Sequence, residues 1–198
     1  MSPGGGSVNL KQVLAQYQPD CEQEVQELRM MLHYADAFSD ILLRSNEIAH
    51  FTASSWIVNP ARTHALMVYH NIYDSWSWTG GHADGDSDLL QVALREAREE
   101  TSIREIRALS PEVFSVEILT VPAHHRRGVY VVPHLHLNVT YLLEADDAQQ
   151  IHCKPDENSA VRWFPLDDAV NASTEPMMKI VYRKLNDKLR RFSDPSHA

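Results

Sequence analysis

The stretch Gly81–Ile103, which reads GHADGDSDLLQVALREAREETSI, constrains this chain more than any other segment. Its apolar spacing predicts an α-helix over Leu89–Thr101. In such a helix Glu96, Glu99 and Glu100 stand at positions i, i+3 and i+4, so their carboxylates share one face. Three adjacent carboxylates repel one another unless a cation neutralises them. The alternative is an acidic face that only meets solvent.

The residues beside this acidic face add two features of a cation site. Gly80 and Gly81 allow a backbone turn that brings carbonyl oxygens close to a bound ion, because no Cβ stands in the way. Arg95 lies next to Glu96, where its guanidinium can hold one carboxylate in a bidentate pair. Carboxylate and carbonyl oxygens suit Mg²⁺ or Mn²⁺ better than Zn²⁺. The sequence therefore predicts a Mg²⁺ or Mn²⁺ site on this helix.

Composition limits the class of protein. The chain has 198 residues, 43% hydrophobic and 23% charged, which suits one globular domain with an appended segment. Its formal net charge of -9 argues against polymeric nucleic acid as a partner, since that binding relies on lysine and arginine. No apolar run approaches the roughly 18 residues that span a bilayer, so we expect no membrane partner. Cys21 and Cys153 lack metal-ligand spacing and fit a reducing, cytoplasmic location.

The chain divides into three parts by pattern. Residues 1–7 are rich in Gly, Ser and Pro and predict a disordered lead-in. Residues 8–50 predict an N-terminal helical extension, which could cover the domain, shape its pocket or build a homodimer. Residues 51–198 form the main predicted domain. Within the extension, Asp20 is the predicted helix N-cap with Gln23 as its capping partner. The predicted apolar stripe of that helix comprises Val25, Leu28, Leu32 and Ala35.

The main domain alternates between strand and helix patterns. FTASSWIV, the turn NPART and HALMVYHNI predict a β-hairpin. A second strand-rich block follows the acidic helix, with AHHRRG as a predicted turn. Further helices are predicted over Leu166–Val170 and Glu175–Phe192. We find no internal repeat, and the order of elements predicts a mixed α/β fold, of the α+β type, around one core.

The acidic helix and the glycine before it resemble the signature of the Nudix hydrolases. That signature is a glycine, five residues, Glu, seven residues, and then Arg-Glu-aliphatic-any-Glu-Glu-any-Gly-aliphatic. The residues that stand in register with it are Gly81, Arg95, Glu96, Glu99, Glu100 and Ile103. By pattern the resemblance covers roughly residues 51–192. It implies a Nudix-like fold, with a mixed β-sheet sandwiched between helices.

Three positions depart from the signature. Ser87 replaces the first Glu, which usually supports the loop, and Ser87 can cap the helix instead. Ala97 is smaller than the usual aliphatic residue. Ser102 replaces the glycine at the helix exit, where a left-handed conformation is common and costs roughly 1 kcal/mol without glycine. None of these changes removes a predicted metal ligand.

The resemblance implies metal-dependent hydrolysis of a small-molecule substrate, a nucleoside diphosphate linked to another group, with water attacking phosphorus. Glu96, Glu99 and Glu100 are then the metal ligands, together with the carbonyl of Gly80. Arg95 is the orienting cation. The general base is Glu96 or a glutamate from a later loop. For that second position we select Glu157, in KPDENSAVRWF, with Glu117 in reserve; a solvated loop residue is the alternative for Glu157.

Other residues are weaker candidates for substrate binding. His134 and His136 share one face of a predicted strand and could bind metal or phosphate, although packing is the commoner role of such residues. Arg126 and Arg127 lie in the predicted turn and could reach a phosphate, or could only meet solvent. Trp78 could stack on a base or serve the core.

Two other functions are compatible with the resemblance. The chain could be a Nudix-fold isomerase acting on a diphosphate ester, or a nucleotide-binding module without turnover. The intact carboxylates favour catalysis over binding alone. Isomerase chemistry needs a protonating cysteine in the pocket, and nothing in the sequence puts Cys21 or Cys153 there. The sequence shows no subfamily signature, so it leaves the substrate open.

Overall fold

A computed structural model describes residues 9–126 and 128–192, without the side chain of Arg126. The predicted lead-in, residues 1–7, lies outside this part of the chain. The described helices are α1 (Leu10–Gln16), α2 (Glu22–Ala37), α3 (Leu89–Thr101), α4 (Leu166–Ala172) and α5 (Pro176–Phe192). The described strands are β1 (Ala49–Val58), β2 (His64–His70), β3 (Ser75–Ser77), β4 (Thr79–His82), β5 (Ile106–Ala108), β6 (Ser115–Val121), β7 (His124–Arg126), β8 (Val129–Val131), β9 (His134–Ala145) and β10 (Asn158–Pro165).

The described strands form a main sheet and one separate hairpin. The main sheet runs in the order β10-β2-β1-β9-β5, with β3 on β2, β4 on β1 and β6 on β9. Strands β7 and β8 pair only with each other. The prediction of a mixed α and β fold of the α+β type is therefore confirmed. The predicted hairpin of β1 and β2 is also confirmed, since Ile57 lies opposite Leu66 in antiparallel register.

The chain forms two compact units, which we describe one at a time. The first unit comprises Met1–Ser54, Gly81–Ala93 and Pro111–Tyr141, and the second comprises Ser55–Gly80, Leu94–Ser110 and Leu142–Ala198. Strands β1, β4 and β9 and helix α3 each contribute residues to both units.

In the first unit, the N-terminal helices cover a strand. Helix α2 packs against α1 and β6. The buried side of α2 includes Leu28, Met31 and Ala35. The predicted stripe was wrong at Val25, which is 49% exposed, because the buried side is rotated toward Met31.

The start of α2 also differs from the prediction. Its N-cap is Cys21, which makes no side-chain capping hydrogen bond, so the prediction of Asp20 as the cap was wrong. Glu24 instead reaches back, and its carboxylate accepts the backbone N–H of Asp20 at 2.8 Å. The bond is similar to that of a capping box, in which the residue at this helix position accepts the N-cap N–H, but the donor here is the residue before the N-cap.

In the second unit, the core forms around aromatic side chains. Trp56 and Tyr182 are fully buried and stacked, with ring centroids 5.2 Å apart. Tyr182 belongs to α5, whose neighbour α4 packs against β10, β2 and β3. The Tyr182 hydroxyl also accepts the backbone N–H of Trp78 at 3.2 Å. The stacking of these two buried rings therefore fixes α5 against β1, and the Trp78 hydrogen bond joins α5 to the residue between β3 and β4.

Helix α3 begins and ends at the predicted residues, Leu89 and Thr101. Its exit has the predicted left-handed conformation, since Ser102 has a φ of 59°. The backbone N–H of Ser102 still donates to the Arg98 carbonyl at 2.9 Å. The helix exit thus keeps the usual left-handed geometry with a residue that adopts it under strain.

We predict that Ser102→Gly stabilises the protein. Glycine removes roughly 1 kcal/mol of strain at this φ, and its greater freedom in the unfolded chain offsets part of that gain. We expect the melting temperature to rise by about 1–3 °C, measured by thermal unfolding. Ser102→Ala is the control, because it keeps the strain and should give no rise. A lower melting temperature for Ser102→Gly than for the wild type would contradict the strain argument.

Candidate active site

The acidic face of α3 carries one buried and two partly exposed carboxylates. Glu100 is 4% exposed, and its Oε1 accepts the backbone N–H of Gly80 at 2.8 Å. The side chains of Glu96 and Glu99 are 17% and 47% exposed. The three carboxylates therefore lie along one path from the interior to the surface, as the helical spacing predicts.

Burial and mutual repulsion perturb two of these groups. Burial raises the pKa of Glu100 to about 8, although the Gly80 N–H opposes the rise and the Glu96 carboxylate adds to it. Burial also raises the pKa of Glu96, and the neighbouring charge of Glu99 raises it further. Both raised pKa values mean that the fold disfavours the ionised forms of Glu96 and Glu100. A nearby cation would favour the ionised forms and lower both pKa values.

A loop before β10 completes the cluster. The carboxylate of Glu157 lies 3.1 Å from Lys154 Nζ, which is 3.5 Å from Glu99. Burial alone would lower the pKa of Lys154, but its hydrogen bond and charge pairing with Glu157, and then Glu99, raise it. The charge of Glu157 also contributes to the raised pKa of Glu96. The structure thus brings Glu157 to the acidic face, where the sequence analysis expected a second glutamate.

Hydrogen bonds hold this loop to the end of α3. The side-chain amide of Asn158 donates to the Glu100 carbonyl at 3.2 Å, and the His152 N–H donates to the Thr101 carbonyl at 2.9 Å. The Asn158 side chain also accepts the backbone N–H of Lys154 at 2.9 Å. These bonds satisfy carbonyls that a helix end leaves unpaired. They also fix the distance between the loop and the carboxylates.

Sequence reasoning missed Lys154 and Asn158. Their signal was present, because Lys154 and Glu157 stand three residues apart in KPDEN, beside the glutamate that was selected. A lysine among four carboxylates is a recognisable partner for their charge. The role of Asn158 depends on the fold, since a loop asparagine gives no indication of which helix end it will meet.

Arg95 lies beside the acidic face rather than in it. One of its terminal nitrogens lies 3.6 Å from Glu96 Oε1, and its side chain is 44% exposed. At that distance the pair is electrostatic and longer than a hydrogen bond. The same positive charge lowers the pKa of Glu96, against the effect of burial.

The glycine pair before the helix has a different backbone from the one predicted. Gly80 and Gly81 lie in strand β4, and the described glycines with positive φ are Gly85 and Gly128. The prediction of a turn at the pair was therefore wrong. Strand pairing extends the backbone there, and the contact that results is made by the Gly80 N–H to Glu100.

Glu117, the reserve base, occupies a different environment in the first unit. It is 2% exposed and accepts hydrogen bonds from Ser115 at 2.6 Å, Asn138 at 3.1 Å and Thr140 at 2.9 Å. A carboxylate with this many donors is satisfied where it stands. It fits a buried polar network better than a proton acceptor for substrate.

The weaker substrate candidates fall in several environments. His134 and His136 lie in the first unit, with Nε2 atoms 3.2 Å apart. Trp78 is 8% exposed and packs edge to face on Tyr182, which is the core role that the sequence also allowed. Arg126 belongs to strand β7, whereas a turn was predicted, and its side chain lies outside the described part of the structure, as does Arg127 altogether.

Known proteins share this fold. A family model for the NUDIX domain matches residues 48–185. The MutT protein from Methanosarcina mazei Go1 is 13% identical, with 75% of this chain and 99% of that chain covered and a TM-score of 0.56. RenU, a Nudix hydrolase from M. smegmatis, is 14% identical, with 73% and 88% covered and a TM-score of 0.54.

A third solved structure is the NUDIX domain of NrtR from Shewanella oneidensis, complexed with ADP ribose. It is 17% identical, with 82% of this chain and 97% of that chain covered and a TM-score of 0.51. Comparison with curated proteins gave no match. The solved structures agree with the fold, and the family model covers the strands, the acidic helix and the loop with Glu157. The chain therefore belongs to the NUDIX domain family.

Proposed function

We propose that this protein is a metal-dependent hydrolase that cleaves a diphosphate linkage in a nucleoside diphosphate derivative, with water attacking phosphorus. The observation that carries the proposal is the cluster around α3. Glu96, Glu99 and the buried Glu100 lie with Glu157 and Lys154 in one unit. A cluster of carboxylates in which burial raises the pKa of two members, Glu96 and Glu100, is typical of a site that a cation completes.

The residues present fit Mg²⁺ or Mn²⁺. Carboxylate oxygens are the ligands these ions prefer, and the proposed set is Glu96, Glu99, Glu100 and the Gly80 carbonyl. When bound, such an ion screens the diphosphate charge and lowers the pKa of a coordinated water. The Gly80 N–H bond orients the Glu100 carboxylate, so its second oxygen stays available as a ligand.

Proton transfer belongs to Glu157 or Glu96 in this proposal. Glu157 is 42% exposed beside Lys154, so it can exchange protons with solvent and substrate. Glu96 is more buried and has a raised pKa, which also suits a general base near neutral pH. Arg95, next to Glu96, is the proposed orienting cation. Lys154 keeps Glu157 close to the acidic face through their ion pair.

A substrate with a nucleoside diphosphate is the proposed class. The NUDIX domain of NrtR, similar in fold, was solved with ADP ribose, which is a nucleoside diphosphate joined to a second sugar.

We also propose a cytoplasmic location, supported by the free cysteines Cys21 and Cys153. Among the described helices, none is both long and apolar enough to cross a membrane.

The proposed activity is tested by measuring phosphate release, after phosphatase treatment of the products, from a panel of nucleotide sugars, dinucleotides and nucleoside triphosphates. Each reaction contains Mg²⁺ or Mn²⁺, and a parallel reaction contains EDTA. We expect turnover of at least one diphosphate derivative with metal and none with EDTA. Metal binding without turnover on any substrate would instead favour an isomerase or a binding module.

We predict that Glu99→Gln and Glu100→Gln each lower kcat by about 10² or more, because each removes negative charge from the metal site. The measurement is steady-state kinetics on the best substrate of the panel, with far-UV circular dichroism to verify folding. Glu105→Gln is a matched control on the same unit, since the Glu105 contacts with Gln149 are made by its backbone. Wild-type turnover in both site variants would contradict the assignment of the metal ligands.

A second prediction separates the two candidate bases. If Glu157 accepts the proton, Glu157→Gln lowers kcat by about 10²–10⁴ with little change in KM, and the acidic limb of the pH profile of kcat disappears. If Glu96 is the base, that limb remains in Glu157→Gln. The profile of kcat between pH 5 and pH 9 distinguishes these outcomes. Lys154→Gln serves as the comparison for loss of the ion pair with the carboxylate retained.

The buried Glu100 also predicts a dependence of stability on pH without metal. Its pKa is about 8 in the folded chain, against an ordinary value of 4.5. Below pH 4.5 both folded and unfolded chains keep the proton, so stability is unaffected. Between pH 4.5 and pH 8 the unfolded chain releases the proton first, and the free energy of unfolding falls.

Glu100→Gln removes that loss, because glutamine is neutral and can still accept the Gly80 N–H. In EDTA at pH 8 we expect this variant to melt roughly 10 °C above the wild type, since the shifted pKa corresponds to about 4 kcal/mol at this pH and each kcal/mol to about 2–4 °C in a chain of this size. The difference should vanish near pH 4. Thermal unfolding across this range is the measurement, and an equal difference at both pH values would contradict the assignment to Glu100.

A further inference from the structure

Histidines from three strands of the first unit form a cluster that the proposed hydrolysis does not use. His50 lies on β1, His82 on β4, and His134 and His136 on β9. The ring centroids of His50 lie 5.1 Å from His82, 4.9 Å from His134 and 5.1 Å from His136. The rings of His82 and His136 are 4.9 Å apart. Four imidazoles this close can pack on one another or hold a metal ion through their ring nitrogens.

One ring nitrogen of His50 makes a hydrogen bond and the other makes none. Its Nδ1 lies 2.9 Å from the Asn46 carbonyl, which only accepts, so Nδ1 carries the proton and donates it. Its Nε2 therefore has a lone pair. That atom is buried and has no hydrogen-bond partner, and His50 as a whole is 3% exposed. A buried polar atom without a partner is costly to keep, so this lone pair points to a ligand.

The backbone around His50 keeps that orientation. The Asn46 side chain accepts the N–H groups of Ile48 and Ala49, both at 3.2 Å, and donates to Asp40 at 3.0 Å. The Asn46 carbonyl is thereby held opposite His50 Nδ1. A carbonyl that accepts the second ring N–H is the usual support of a metal-binding histidine, because it fixes both the tautomer and the ring plane.

A backbone carbonyl fixes the tautomer of His134 in the same way. Its Nδ1 lies 2.9 Å from the Val132 carbonyl and donates to it, which leaves the lone pair on Nε2, 3.2 Å from His136 Nε2. His134 Nε2 can therefore accept a hydrogen bond from His136 or lie as a further nitrogen ligand beside it. The distances between ring nitrogens indicate which histidines could hold one metal ion. One ring nitrogen each of His50, His82 and His136 lies within 4.8 Å of the other two.

The lone pair on the buried His50 Nε2 suits a metal ion more than an anion, because an anion needs an N–H donor at that position. Burial lowers the pKa of His136 to about 2, and the rings of His82, His50 and His134 lower it further. Burial also lowers the pKa of His50. An anion would need protonated rings, whereas a metal ion needs neutral ones. The nearby cation Arg44 is itself paired with Asp84 through two hydrogen bonds.

We propose that His50, His82 and His136 form a three-histidine site for a divalent transition-metal ion, with Zn²⁺ as the ion that fits best. Imidazole nitrogens select Zn²⁺ and its neighbours over Mg²⁺, so this site differs in chemistry from the carboxylates of α3. Tetrahedral Zn²⁺ with bonds of about 2.0–2.1 Å holds its ligands about 3.3 Å apart. Small side-chain rotations close the present separations to that value. Water or His134 takes the fourth position.

The test uses the full chain without an affinity tag, stripped with EDTA and titrated with Co²⁺, which reports its geometry in the visible spectrum. Tetrahedral Co²⁺ absorbs strongly, and octahedral Co²⁺ on carboxylates absorbs weakly. We expect one strongly absorbing Co²⁺ per chain, displaced by one equivalent of Zn²⁺ and unaffected by excess Mg²⁺. Weak absorption alone, or no binding, would overturn the proposal.

Variants assign the signal to these residues. We expect His82→Asn and His136→Asn each to weaken Co²⁺ binding by at least about 100-fold. His152→Asn, an exposed histidine of the second unit, and Glu100→Gln should both keep the signal. His82 and His136 are both half-buried, so either variant preserves the test if the other does not fold. Circular dichroism without metal verifies folding. Wild-type Co²⁺ binding in a folded His82→Asn variant would also overturn the proposal.

Discussion

The second unit depends on a buried carboxylate at the end of a helix. Glu100 accepts the Gly80 N–H with its side chain, and its backbone carbonyl accepts the Asn158 amide. One residue thus joins strand β4, helix α3 and the loop before β10. The second of these bonds, together with the bond from the His152 N–H to the Thr101 carbonyl, holds the loop with Lys154 and Glu157 beside the acidic face. A carboxyl group that is unfavourable as an anion in the interior is thus held where it joins three elements of the fold.

Glu100 and Glu117 show how two buried glutamates can differ in purpose. Glu117 accepts from three side-chain donors, all within its own unit, so its carboxylate is satisfied by the protein alone. Glu100 accepts one backbone N–H and has other carboxylates for neighbours, which leaves it short of positive charge. Burial by itself therefore does not identify a functional carboxylate. The number of hydrogen-bond donors around a buried carboxylate identifies it better, and those donors are known only from the folded structure.

The sequence could predict whatever depends on local spacing. The bounds of α3, the shared face of its carboxylates and the left-handed exit at Ser102 all follow from positions a few residues apart. The hairpin of β1 and β2 is equally local. The N-cap of α2 was wrong because Glu24, one residue beyond the selected partner, makes the bond that counts. His50 and His82 escaped notice because three strands bring them to His136, and no pattern within one strand reveals its neighbours.

Ser102 shows that a sequence signature and a structural requirement are different things. The residue after it, Ile103, is 1% exposed, and its N–H is held by the Thr101 hydroxyl at 3.3 Å, which itself donates to Ala97 at 2.6 Å. The chain must therefore reverse at this position to bury Ile103, whichever residue stands there. What the fold demands is a left-handed backbone, and glycine is simply the residue that adopts it with least strain. A helix exit anchored on both sides can hold a serine in that conformation and keep the carboxylates before it in place.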